Sequence, residues 1–226
     1  VTAVVWVVKP GDQNDALRCS LRSVHANLPH SSVWIAGYKP KWVSDKVGHL
    51  PTGQKPGDRH GNVRLNIRAA CDAFDEWIVM WDDVYVTRPV DQLPVLHRGT
   101  VTDLVASKLA VKPLTPYERG IERTGHVLEQ LGYPHPYCYD CIHVPQTVQS
   151  RHMLRALDVA AEYEVNHVLT LHGNFAGLGG SEGVNAKQED GWSSRPFVST
   201  SDRRWRTAPV GAYIRDLFPN PCPWEK

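Results

Sequence analysis

Residues 78–90 read IVMWDDVYVTRPV, a run that passes from apolar to acidic and back to apolar. Adjacent carboxylates repel each other and are costly to desolvate. An otherwise buried segment therefore carries Asp82 and Asp83 side by side only where water or a cation meets them. The run EWIVMW is accordingly a strand that stops at the acidic pair.

The chain before this strand supplies its partners. TAVVWVVK, rich in β-branched residues, ends at PGD and reads as a strand followed by a turn. Leu17, Leu21, Val24 and Leu28 then recur at helical spacing, with Asp12 or Asn14 available as N-cap. SSVWIAGY reads as a second strand, and residues 39–61, dense in proline and glycine, as a long loop of the kind that tends to be functional or mobile. Val63, Ile67, Ala70 and Phe74 form the next helical stripe. Strand, helix, strand, helix, strand predicts an α/β fold with a parallel sheet and right-handed crossovers. Such sheets bind ligands outside the carboxyl ends of their strands, where Asp82, Asp83 and the turn at residues 9–12 fall.

The second half is less regular. Residues 100–113 suggest a hairpin or two strands and residues 116–131 a helix. TVQSRHMLRALDVAAEY reads as a helix with Met153, Leu154, Leu157 and Ala161 inward. HGNFAGLGGSEGVNAK reads as a glycine-rich loop, RPFVSTSD as a strand ending at Asp202, and VGAYIRDLF as a closing helix.

Composition excludes several classes of function. The 226 residues carry 25 Lys and Arg against 24 acids, so no basic stripe points to nucleic acid. No apolar run approaches the roughly 20 residues of a membrane span, and no secretory signal is expected, which makes a cytoplasmic protein the expectation. Five cysteines are read as reduced thiols. His135, Cys138, Cys141 and His143 have spacings that a structural zinc can use, the alternative being ordinary part-buried thiols.

Paired acids after an apolar strand offer hard oxygen ligands at a rigid edge, which suits Mn²⁺ or Mg²⁺ bound to a diphosphate. Read alone, the same pair also fits a solvated strand end or a helix cap. His143 in CIHVP fits a general base, a metal ligand or a core-edge residue. Asp202, followed by Arg203, Arg204 and Arg206, is either an acid beside phosphate-gripping cations or a surface turn. Arg18 and Arg22 lie one helical turn apart near the expected ligand edge, and Lys187 follows the glycine-rich segment. His60, His167 and His172 stay open. Trp6, Trp34 and Trp77 lie in strands and read as core, although the eight tryptophans also permit sugar stacking.

Several stretches in fixed order resemble Stealth-type sugar transferases and shorter bacteriophage and bacterial glycosyltransferases related to them. They are residues 7–29, VWIAGYKPKWV, WDD, IHVP, STSD and LFPNPCPWE. The resemblance touches nearly the whole chain at separated points. It departs at Trp81 and Ser201, where an Asn is usual before each acid, and at Cys222, where Ser is common.

The resemblance implies a GT-A-like, Rossmann-like, mostly parallel sheet flanked by helices, with a less regular acceptor side. It implies one catalytic domain over residues 1–226, with 1–90 holding the nucleotide and 91–226 facing the acceptor. The implied activity is metal-dependent transfer from a nucleotide-diphosphate sugar to a glycan or protein, a virion protein if phage-encoded, in the host cytoplasm. Asp82, Asp83 and His143 are implied as metal ligands, and His143 and Asp202 as catalytic residues. Lys9, Gly11, Asp12, Arg18, Asn62, Arg64 and Asp82 are expected at the nucleotide. The alternatives are a sugar-1-phosphate transferase and a non-catalytic carbohydrate-binding or scaffold protein.

Overall fold

The computed structural model describes residues 2–11, 14–187 and 192–226. The first elements in chain order are β1 (Ala3–Val8), α1 (Asp15–Asn27), β2 (Val33–Gly37), β3 (Gly48–Leu50), α2 (Arg59–Ala73), β4 (Glu76–Trp81) and β5 (Val84–Val86). There follow β6 (Leu96–His97), α3 (Val101–Leu109), α4 (Pro116–Gln130), β7 (Gln146–Gln149), α5 (Ser150–Glu162), α6 (Val168–Phe175) and β8 (Ser181–Glu182). The chain closes with β9 (Phe197–Ser199), α7 (Asp202–Thr207) and α8 (Pro209–Leu217). Two compact units emerge: Val1–Leu93, His143–Thr147 and Ala186–Lys226 form the first, and Pro94–Ile142 with Val148–Asn185 the second. Asp202 and His143 thus belong to the same unit as the acidic pair.

The first unit is α/β, with a mixed, mostly parallel central sheet in the order β3-β2-β1-β4-β7, compatible with a Rossmann-like fold. β1 pairs in parallel with β2 on one side and with β4 on the other, and β2 pairs in parallel with β3. All six residues of β1 are buried, as expected of a parallel strand covered on both faces. Chain order reverses direction across the sheet between β1 and β4, so their carboxyl ends form its topological switch point. β5 pairs antiparallel with β9, and Tyr85 and Val198 of these strands pack with Trp205, Val210, Ile214 and Phe218 of the two last helices.

Helix α2 departs from the expected apolar stripe. Its buried face includes Asn62 and Asn66 beside Ile67, Ala70 and Cys71. Asn62 brackets Lys55, accepting from its N–H and donating to its carbonyl, each at 2.7 Å. Asn66 accepts from Thr52 Oγ1 at 2.6 Å and donates to the Val8 carbonyl at 3.3 Å. These amides pin the preceding loop to the carboxyl end of β1. That loop also holds β3 and ends at Asp58, which caps α2 through Gly61 N–H, so its last residues are helical.

In the second unit, the segment expected as a hairpin or two strands instead holds α3, Val101–Leu109. Thr100 Oγ1 accepts from Asp103 N–H, and Val101 and Leu104 pack against Ile121 and Cys138. The β-branched start of this segment resembles a strand locally, but its buried positions recur at helical spacing. α5 begins only at Ser150 and buries Met153, Ala156, Leu157 and Ala160, with Ala161 exposed. Residues 172–175 of the expected glycine-rich loop belong to α6.

Candidate functional site

Asp82 and Asp83 form a two-residue turn between β4 and β5. The Ser20 hydroxyl, on α1, lies 3.2 Å from the Trp81 carbonyl and 2.7 Å from the Val84 carbonyl, and accepts from Trp6 Nε1 at 2.9 Å. Its one proton goes to the nearer Val84 carbonyl, so Ser20 anchors the backbone that follows the acids. Thr200 N–H donates to the Asp83 carbonyl at 3.0 Å and ties the turn to the end of β9. The side chains are held apart by different partners. Asn14 caps α1 with its Oδ1 and donates from Nδ2 to Asp82 Oδ2 at 2.9 Å. Lys187 Nζ lies 3.0 Å from Asp83 Oδ2.

Asp202, the first residue of α7, meets Lys9 from the end of β1, Nζ to Oδ2 3.1 Å. Three carboxylates thus face two ammonium groups, an excess of negative charge at the switch point. Burial pushes the Asp82 carboxyl up, the adjacent Asp83 adds to this, and the Asn14 hydrogen bond opposes it. Burial alone would push the Lys9 ammonium down, but the carboxylates of Asp82, Asp202 and Asp83 together hold it above its ordinary value. Both shifts record the same crowding of charge.

The other expected residues are placed as follows. Gly11 is exposed, with nothing within 4 Å of where a Cβ would stand. Asp12 lies outside the described residues. Asn62 clamps the loop before α2, and Arg64 is part-buried on the same helix. Arg18 lies 3.0 Å from Glu225 Oε2, with its guanidinium 3.9 Å above the Trp42 ring. Glu225 also takes Arg22 through both carboxylate oxygens, each at 2.7 Å. His143 is half-buried on the segment before β7, with a left-handed backbone, φ 54°. A non-glycine residue held in that region is strained, which is a feature often found at working sites.

Among the described residues no group of three or more His, Cys, Asp or Glu is placed to hold a metal ion, the His135 to His143 segment included. The oxygens of Asp82 and Asp83 fit a hard divalent cation as a partial ligand set, because Mg²⁺ is commonly bound by one or two carboxylates plus phosphate and water. His172 is neutral: its Nε2 accepts from Gln149 N–H at 3.0 Å, and burial pushes its pKa down to about 4.

Two partners of the site carry no signal in the sequence pattern for this purpose. Asn14 reads as a helix cap but also holds Asp82, and Ser20, for which the sequence suggests no role, bonds the backbone beside the acidic turn. No protein-family model matches the chain, and no curated protein matches it.

Proposed function

We propose that the protein is a GT-A-like, metal-dependent glycosyltransferase that uses a nucleotide-diphosphate sugar. The observation that carries this reading is the acidic turn at the carboxyl ends of β1 and β4, flanked by Lys9 and Lys187. A diphosphate needs cations, and carboxylates at that edge need them too. Asp82 and Asp83 would hold Mn²⁺ or Mg²⁺, which supplies charge neutralisation on the departing diphosphate. Lys9, paired with Asp202, and Lys187, paired with Asp83, would supply ammonium groups for the phosphate oxygens. Asp202 is linked to the acidic group through Lys9, and we assign it the proton of the acceptor hydroxyl. His143 is assigned to the sugar side on the resemblance alone.

The resemblance to Stealth-type transferases supports the reading in a second way. Its separated pieces meet in space: Arg22 with Glu225, Lys9 with Asp202, and Thr200 with Asp83.

The test is a thermal-shift screen of UDP-, GDP-, dTDP- and CDP-sugars with and without Mn²⁺, on the native chain and on Asp83→Ala. The expected result is stabilisation by one nucleotide class that needs both metal and Asp83. No shift with any donor would overturn the proposal. With an acceptor, release of nucleoside diphosphate marks glycosyl transfer, and release of nucleoside monophosphate marks sugar-1-phosphate transfer.

A further inference from the structure

A cavity of about 400 Å³ lies in the first unit, where α7 turns into α8. Its walls include Trp192, Arg203, Arg204, Thr207, Pro209 and Val210. The volume falls within the range of small-ligand sites and suits one monosaccharide with a charged substituent. Among the described lining residues two carry positive charge and none is acidic. Arg206, although in the same basic run, is not among them.

The geometry of the walls is specific. The Trp192 ring is packed 4.7 Å from the Tyr213 ring, which fixes one apolar face. Arg204 Nη1 donates to the Lys187 carbonyl at 2.6 Å, so this guanidinium is anchored to the residue that pairs with Asp83. Arg203 is exposed and follows directly on Asp202. α8 opens at Pro209 with no side chain capping its first turn, which adds a partial positive charge at the rim. An indole face suits the C–H face of a sugar ring, and guanidinium groups suit phosphate or carboxylate oxygens.

We infer that this cavity binds a sugar bearing a phosphate or a carboxylate, and that this sugar is the acceptor-side ligand. The second clause rests on the transferase reading; the first does not. Asp202, assigned the acceptor proton, is the first residue of α7, the helix that also supplies Arg203 and Arg204 to the cavity.

The full chain is titrated with glucose 6-phosphate, glucuronate, glucose and inorganic phosphate, without nucleotide or metal, by calorimetry and tryptophan fluorescence. Both anionic sugars are expected to bind at least about tenfold more tightly than glucose, and glucose 6-phosphate about tenfold more tightly than phosphate. Arg203→Gln is expected to lose about tenfold for the anionic sugars, and Trp192→Phe to lose the fluorescence response. Asp83→Ala is expected to bind these probes unchanged, which separates this site from the donor site. Equal binding of glucose and the anionic sugars, binding of phosphate alone, no binding of either anionic sugar, or unchanged affinity in Arg203→Gln would each overturn the inference. If Mn²⁺-linked donor binding fails while these titrations succeed, the anionic-sugar site stands and the transferase reading falls.

Discussion

Lys9 Nζ lies 3.1 Å from Asp202 Oδ2, joining the end of the first strand to the start of α7 across 193 residues of sequence. Both side chains are largely exposed, 60% and 68%, so water screens the pair. Such contacts contribute under about 1 kcal/mol. Lys9→Met should therefore leave the urea midpoint nearly unchanged while weakening nucleotide-sugar binding by about tenfold. A large loss of stability with intact binding would mean that the pair is structural.

Asp82 gives a prediction with opposite signs for stability and function. Its folded pKa is raised by burial and by Asp83, so the favourable contribution of its neutral form is complete below the unfolded value. That contribution is lost as pH rises through the folded value. Asp82→Asn removes the buried charge and keeps an oxygen to accept from Asn14. The variant should melt higher than the native chain at pH 7, with the gap narrowing as pH falls toward about 4. Metal-linked donor binding should vanish in the variant, and in the native chain should weaken as pH falls through the raised folded pKa, because a proton competes with the cation. A variant that melts lower at pH 7 would show that the charge of Asp82 is compensated in the ligand-free protein.

Much of the first unit is legible because its signals are local. β1, α1, β2 and β4 each carry a run or stripe within a dozen residues, and their order alone implies a parallel sheet. The acidic pair marks the end of β4 for the same reason. What escapes the sequence is pairing over long separations. Nothing near Arg18 says that Glu225 will take it, and nothing near Asp83 names Lys187. Asn62 is expected at the nucleotide, yet it and Asn66 are buried because they satisfy the backbone of the loop before α2 and of the end of β1. Residues 100–113 read as a hairpin or two strands because β-branched residues favour strands, whereas the contacts that bury Val101 and Leu104 in a helix come from α4 and from Cys138.

Glu225 has an enclosed carboxylate, its side chain 2% exposed. Burial would push its pKa up, but Arg22, the Cys222 N–H and Arg18 together hold it below the ordinary value. Its stabilising contribution is present above the unfolded value and is lost as pH falls through the depressed folded value. Glu225→Gln leaves the Arg22 guanidinium without its carboxylate, a change that costs about 3–5 kcal/mol in buried pairs. The melting temperature should fall by about 6–20 °C at pH 7. The loss should shrink in acid, where the native carboxylate is also protonated. An unchanged melting temperature would show that the C-terminal segment contributes no stability through this pair.

Gly37 tests whether the β1 edge positions the site. It ends β2 with φ +101°, and a Cβ there would lie 2.5 Å from both the Val8 carbonyl and Asn66 Nδ2. That carbonyl already accepts from Tyr38 N–H, Gln54 Nε2 and Asn66 Nδ2, so it has no room to retreat. Gly37→Ala combines a disfavoured backbone with a clash and should destabilise by about 1–3 kcal/mol. Val8 precedes Lys9, so displacing its carbonyl also displaces the ammonium that meets Asp202. Donor binding in Gly37→Ala should fall further than in Asn66→Ala, which loosens the same carbonyl without pushing it. Urea midpoints and donor titrations on both variants decide this: equal stability losses with equal binding would mean that the loop, and not the strand edge, sets the position of Lys9.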